Sequence, residues 1–360
     1  MDQRKTLLSA WAQRCLATMP GLGEGDASRA SVDTVSGDAS FRRYFRLRTD
    51  DGRRYVLVDA PPEREDCHRF VHVAQLFREA GLLTPQVLAV DYQQGFMLLE
   101  DFGDALYLPT LRASREQSPA TVDAMYGAAM SALVELQANG KSGELAPYDR
   151  ALLRTELRLF DHWFCERFVG LQLDARARDL LDSTWTFLED RALAQQQVCV
   201  HRDYHSRNLM ILNNDPAGAP GVIDFQDAVV GACTYDLVSL LRDCYIVWPQ
   251  ARVQQWALQF HTQASQRGVL PTATDFPAFM RDFDLMGIQR HIKVIGIFCR
   301  LNLRDGKPVY MADIPLVIDY VLTVAAEHPE LAPFLDWFRH AVLPQAREKL
   351  EPYIVTEALS

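Results

Sequence analysis

A chain of 360 residues exceeds one small module, so a two-lobed or two-domain globule is expected. Its 48% hydrophobic and 23% charged residues match an ordinary folded protein and exclude disorder, collagen and coiled coil. Thirty-seven Lys and Arg against 47 Asp and Glu leave a net −10, which speaks against nucleic acid or a membrane surface as partner; an anionic ligand must meet a local positive field.

Residues 1–20 read as a short amphipathic helix stopped by Pro20-Gly21. Gly21, Gly23 and Gly25 form a connector, not a Walker A loop, because no Lys-Ser/Thr follows. Strands are expected at 32–36, 40–48 and 55–59, with the Thr49-Asp50-Asp51-Gly52 turn between the last two. Residues 66–80 place Cys67, Phe70, Val71, Ala74 and Phe77 at helical spacing, and Gly81 supplies the stop. A second hairpin spans 86–91 and 96–100. After Asp101-Phe102-Gly103-Asp104 helical periodicity dominates, at 121–139, 148–169, 235–247, 252–266, 281–304, 314–327 and 332–349. A strand-loop-strand block at 198–225 interrupts it. The fold class is therefore α+β: a small antiparallel sheet lobe with one inserted helix (1–102) and a large, mainly helical lobe (103–360). The ligand site is expected in the cleft between them.

The seven cysteines are scattered, odd in number and form no C-x-x-C pair, which favours free thiols in a reducing compartment. Gln13 and Arg14 break the N-terminal apolar patch, so no signal peptide is expected. No unbroken run of about 18 apolar residues exists, so no membrane span is expected. The cytoplasm is the expected compartment, with no obligate protein partner.

The chemistry concentrates in His201-Arg202-Asp203-Tyr204-His205-Ser206-Arg207-Asn208 followed by Val222-Ile223-Asp224-Phe225. This is the H-R-D-x-x-x-x-N and Asp-Phe pattern of kinase-type phosphoryl transfer. One carboxylate, Asp203, is placed to accept or orient the proton of an attacking hydroxyl. Mg²⁺ needs hard oxygen ligands from two chain positions, here Asn208 and Asp224. The apolar segments 198–200 and 209–212 flank the loop as short buried strands. His201, Asp203 and His205 also suggest a zinc triad, but that leaves Asn208 and the Asp-Phe pair unexplained. His201 reads as a brace for the loop.

The sequence resembles the aminoglycoside phosphotransferase-like kinases. Within them it resembles the bacterial anomeric sugar kinases of cell-wall recycling. The residues that carry this are Ser36-Gly37-Asp38-Ala39-Ser40-Phe41-Arg42-Arg43-Tyr44-Phe45-Arg46, Val58-Asp59-Ala60-Pro61-Pro62, Leu98-Leu99-Glu100-Asp101-Phe102-Gly103-Asp104, the catalytic block, Tyr235-Asp236-Leu237, Gln289-Arg290-His291-Ile292-Lys293 and Arg304-Asp305-Gly306-Lys307. The resemblance implies a protein-kinase-like fold, ATP and Mg²⁺ as cofactors, and a small sugar as acceptor. The implied reaction turns N-acetylmuramate and N-acetylglucosamine into α-1-phosphates, upstream of UDP-sugar synthesis in peptidoglycan recycling. It implies nucleotide contacts from the covering loop (Ser36, Gly37, Ala39, Ser40, Phe41) and from the hinge (Glu100, Phe102). Aminoglycoside, choline and homoserine kinases are alternatives from the same family, and a nucleotide-binding pseudokinase is the non-enzyme alternative.

Two departures stand out. Kinases of this class hold the phosphates with a lysine on the third strand, which here reads Arg54-Tyr55-Val56-Leu57-Val58-Asp59. Only Lys5 of the five lysines precedes the hinge, so an arginine must substitute; Arg43 and Arg46 are the candidates, on opposite faces of their strand. Gln226 stands where protein kinases have glycine, which argues against a regulatory loop flip.

The substrate side is read from residues 281–304. On one helix Arg290, Lys293, Arg300 and Arg304 fall within an arc of about 80°. Such a stripe suits the lactyl carboxylate of N-acetylmuramate, with His205 of the catalytic loop nearby. The alternative is a solvated face, or ion pairs to Asp282, Asp284 and Asp305.

Overall fold

A computed structural model describes residues 2–19, 31–37 and 41–354. Helix α1 (Gln3–Ala17) starts at Asp2, whose side chain accepts the Lys5 N–H. Strands β1 (Ser31–Gly37), β2 (Arg43–Arg48), β3 (Arg54–Asp59), β4 (Val87–Asp91) and β5 (Phe96–Glu100) form one antiparallel sheet in the order β1-β2-β3-β5-β4. Period-two alternation gives this sheet two apolar faces. Phe45, Leu47, Leu57, Phe96 and Leu98 pack under Leu8, Trp11, Ala12 and Leu16 of α1. Val58, Met97 and Leu99 face the other way, against Phe70, Val73, Ala74 and Phe77 of the inserted helix α2 (Cys67–Glu79). Gly95 is sterically required: a Cβ there would sit 1.9 Å from the Ala60 carbonyl oxygen, in the turn where the Ala60 N–H bonds the Gly95 carbonyl at 2.8 Å.

The chain leaves β5 through Asp101, Phe102 and Gly103. Arg46, on the face of β2 opposite α1, holds this linker. It bonds Asp101 at 2.7 and 3.0 Å, Asp104 at 2.7 and 2.9 Å and the Gly103 carbonyl at 3.1 Å.

The remainder is helical: α3 (Tyr107–Gln117), α4 (Pro119–Asn139), α5 (Arg150–Leu159), α6 (Ala175–Ala194), α7 (Tyr235–Leu241), α8 (Gln250–Gln266), α9 (Phe276–Leu303), α10 (Ile314–Ala325), α11 (Ala332–Trp337) and α12 (Leu343–Ile354). Helix α5 runs on into wider π-type turns over Phe160–Val169. The widening begins where α9 crosses it; a Cβ on Gly296 would lie 2.4 Å from the Leu159 carbonyl carbon, so only glycine lets the two backbones meet. The expected single helix over 148–169 is thus divided into two windings, and α3 and α6 were not anticipated. The 235–247 helix stops at Leu241.

Between α6 and α7 lie β6 (Gln197–Val200), β7 (Leu209–Met210), β8 (Gly221–Val222) and β9 (Val229–Ala232), paired as β6–β9 and β7–β8. One buried core runs from the inner sheet face and α2 through α4 to this block, and a second surrounds α9, α10 and the C-terminal helices. Among the described residues one segment, Pro308–Ala325, is apolar and long enough by composition to cross a membrane, but Met311, Ile314, Val317 and Val321 are buried in that second core.

Candidate active site

The two small hairpins deliver the polar residues. Strand β6 ends at Val200 and hands over to His201; the Leu209–Val222 pairing of β7 with β8 sets Asn208 beside Ile223 and brings Asp224 within reach. His201 is fully buried and uses both ring nitrogens: Nε2 bonds the Ile223 carbonyl at 3.0 Å and Nδ1 accepts the Asp203 N–H at 3.2 Å. Burial pushes its pKa down to about 4, so it is a neutral brace with no nitrogen left for zinc.

Two carboxylates hold the loop from below. Asp236 of α7 accepts the N–H groups of His201 at 2.6 Å and Arg202 at 3.0 Å, and burial pushes its own pKa up to about 7. Asp243 accepts the Ser206 N–H at 3.0 Å and its hydroxyl, then the Tyr245 N–H at 3.0 Å. These bonds pin Arg202 in a left-handed conformation (φ 80°); Asp224 is likewise left-handed (φ 64°). Each such non-glycine residue costs about 1–3 kcal/mol and persists only where its surroundings enforce it.

Asp203 is half-buried, and no described residue hydrogen-bonds its carboxylate. Burial pushes this carboxyl up, but Lys293, His205, Arg290 and Arg202 together outweigh burial and hold it below the ordinary carboxylate value. It is therefore an ionised, unshared acceptor. Next to it the Asn208 amide nitrogen donates to the Asp203 carbonyl at 3.0 Å and lies 3.4 Å from Asp224 Oδ2, while Gln226 donates to Asp224 Oδ1 at 2.8 Å. With its nitrogen committed, Asn208 offers its amide oxygen. That oxygen and the Asp224 carboxylate are hard donors from two neighbouring segments. This donor set fits Mg²⁺, which takes one or two protein oxygens and completes its shell with phosphates and water. A bound magnesium ion would supply charge neutralisation to the phosphates; the protein's share is to hold both oxygens still.

The predicted substrate residues divide. Arg290 is 3% exposed; its Nη1 donates to the Cys244 sulfur at 3.7 Å, and its buried Nε has no hydrogen-bond partner among the described residues. His205 packs edge-on against Tyr245 at 5.4 Å, and its Nδ1 is buried without a partner. Both groups influence Asp203. Lys293 is buried but neutralised, 3.0 Å from Glu156 and 2.9 Å from the Tyr235 hydroxyl. Arg300 is half-buried. Arg304 is corrected: it is exposed and paired with Asp305 at 2.7 and 2.9 Å, so the four cations do not form one surface.

On the nucleotide side, Ser36 and Gly37 end β1, paired with Tyr44 and Arg43 past a bulge. Phe41 is exposed, with the Arg64 guanidinium 4.7 Å from its ring centroid. Ala39 and Ser40 lie outside the described residues. Glu100 ends β5, and the Phe102 ring packs against Gly221, where a Cβ would meet it at 2.7 Å. Arg43 is corrected: it lies on the α1 face of β2, tied to Asp59 at 3.0 and 2.5 Å and to Asp2, and turns away from the inner face. Arg46 does face inward, but Asp101 and Asp104 occupy it.

Glu156, Asp236 and Asp243 were not assigned from sequence. Asp236 stood inside a quoted motif without a role; Glu156 in α5 and Asp243 just past the end of α7 are single carboxylates with no local signal.

Residues 31–272 match the family described as "Phosphotransferase enzyme family". A Pseudomonas aeruginosa protein named N-acetylmuramate/N-acetylglucosamine kinase is 41% identical over 348 residues, covering 96% of this chain and 99% of that protein. A protein of the same name from Neisseria meningitidis is 41% identical over 83% of this chain and 87% of its own length. Among solved structures, the Plasmodium vivax ethanolamine kinase superposes with a TM-score of 0.58 at 11% identity over 92% of this chain and 89% of that one. The macrolide 2'-phosphotransferase of Brachybacterium faecium superposes at 0.52 with 15% identity over 89% and 98%. At such identities these two speak for the fold alone.

Proposed function

The chain belongs to the phosphotransferase enzyme family, and from that premise we propose that it is an ATP-dependent kinase of N-acetylmuramate and N-acetylglucosamine, acting at the anomeric hydroxyl. The observation that carries the mechanism is the Asp203 carboxylate, ionised and unshared beside the Asn208–Asp224 pair. The relatives' printed names support the acceptor.

Asp203 orients the anomeric hydroxyl and takes its proton late. This hydroxyl is more acidic than an ordinary alcohol, so proton removal is a modest part of the barrier, worth about 10²–10⁴ in rate. Positioning and charge neutralisation carry the rest. Asn208 and Asp224 hold magnesium, and the covering loop and hinge hold the nucleotide. Arg290 and His205 line the acceptor side, where the buried guanidinium suits the lactyl carboxylate of N-acetylmuramate. Seven free cysteines and an ATP donor accord with a cytoplasmic location.

The test is ADP formation by purified protein with ATP and Mg²⁺ over an acceptor panel. The reading expects turnover with the two amino sugars and none with kanamycin, choline or homoserine. Turnover confined to one of the latter three overturns it.

A further inference from the structure

The inner face of β3 carries Val56 and Val58 where a phosphate-gripping lysine is expected, and both β2 arginines named from sequence are held by other carboxylates. A third arginine, Arg42, has partners of its own in Glu65 and Tyr44. Arg42 directly precedes β2, in step with Tyr44 and Arg46, so alternation puts it on the inner face. It is 9% exposed. Its Nε donates to Glu65 Oε2 at 2.9 Å, and Glu65 Oε1 accepts the Phe41 N–H at 2.9 Å. The same carboxylate thus fixes the arginine and the backbone at Phe41. Glu65 lies immediately before Asp66, the cap of α2.

The guanidinium also reaches the aromatic layer beside the Asp224 segment. It lies 5.9 Å from the ring centroid of Phe70 in α2, and that ring packs 4.9 Å from Phe225, the residue after Asp224. One aromatic layer links Arg42 to the segment that carries Asp224.

We propose that Arg42, oriented by Glu65, is the cation that grips the phosphates of the bound nucleoside triphosphate, in place of a strand lysine. An arginine keeps its charge under burial, and its fork can bind a carboxylate with one edge and phosphate oxygens with the other. Glu65 is a positioning residue. The proposal rests on the kinase reading above.

The experiment is calorimetric binding of ATP, ADP and adenosine, with Mg²⁺, to wild type, Arg42→Ala, Arg42→Lys and Glu65→Gln, each with a melting curve. Wild type is measured first. If it binds no nucleotide, the kinase reading falls and Arg42 falls with it. If it binds, Arg42→Ala is expected to weaken ATP and ADP by about 10–100-fold, the loss of one charge-assisted contact, and to leave adenosine unchanged. Arg42→Lys should recover part of the loss, and Glu65→Gln should weaken ATP by a smaller factor. Equal ATP affinity in wild type and Arg42→Ala overturns the proposal and leaves the kinase reading intact. If Arg42→Ala does not fold, Arg42→Lys and Arg42→Gln decide: equal ATP affinity in the two overturns the proposal, and weaker binding by the glutamine variant supports it.

Discussion

Lys293 Nζ lies 3.0 Å from the Glu156 carboxylate, and both side chains are buried. The same carboxylate meets the Arg202 guanidinium and the Tyr148 hydroxyl. Burial pushes the Glu156 carboxyl up, but Lys293 and Arg202 pull it below the usual value, so it stays ionised between two cations. The cluster joins α9, α5 and the catalytic loop beneath Asp203.

Removing one member of a buried ion cluster leaves the others uncompensated. Glu156→Gln should therefore lower unfolding free energy by about 3–5 kcal/mol in urea titration. Adding Lys293→Met should recover part of that loss. A Glu156→Gln protein within about 1 kcal/mol of wild type would show that the cluster is not a structural keystone.

Asp203 and Asp224 should separate cleanly. Asp203→Asn keeps the shape of the loop and removes the acceptor, so turnover should fall by at least about 10² while ATP binding persists. Asp224→Ala should lose Mg²⁺-dependent nucleotide binding. Single-turnover rates and calorimetry on the two variants check this. Near-wild-type turnover in Asp203→Asn removes Asp203 as the base, and unaltered Mg²⁺-dependent binding in Asp224→Ala removes its metal role.

His291 gives a pH test. Its Nε2 meets the Arg242 carbonyl at 3.0 Å, its ring stacks on Tyr320 at 4.8 Å, and burial lowers its pKa to about 3. Its folded pKa lies below the unfolded value of about 6.5. The folded state therefore loses stability as pH falls from about 6.5, by about 1.4 kcal/mol per pH unit, until the folded pKa is reached. Asp161 and Asp236, raised to about 6 and 7, act in the opposite direction, because a raised acid gains stability as pH falls. Both remain in His291→Gln and cancel in the difference. The stability advantage of wild type over His291→Gln should thus shrink between pH 6 and pH 4 at about that slope. Parallel curves would contradict the assignment.

The five strands and the inserted helix were legible because alternation, helical spacing and the Asp-Gly turn agree there. The polar block at 201–208 and 222–225 stood out in the sequence because its residues fall in two short runs. What escaped depends on contacts distant in sequence. Helix α3 buries only Tyr107, Leu108 and Leu111 and has no side-chain cap, so its pattern is faint. Helix α6 has a cap at Asp174 and buried Ala177, Leu181, Trp185 and Leu188, but arginines and acids dilute the apolar pattern. The helix from Tyr235 ends early because Asp243 is drawn to Ser206. Arg43 and Arg46 were rightly set on opposite faces, but only the structure shows carboxylates from α1, β3 and the linker occupying them. A helical wheel set Lys293 and Arg304 on one arc; Glu156 and Asp305, outside that arc, decide what each does.

The central claim is transfer to the anomeric oxygen. The most direct measurement is ³¹P NMR of the reaction with ATP, Mg²⁺ and N-acetylmuramate, run beside N-acetylglucosamine, its methyl glycoside and kanamycin. The account predicts a new phosphate signal from each free sugar, coupled to the anomeric proton in the α configuration, and none from the methyl glycoside or kanamycin. Phosphate on the methyl glycoside or on kanamycin, or ATP bound with no sugar phosphate formed, would contradict it.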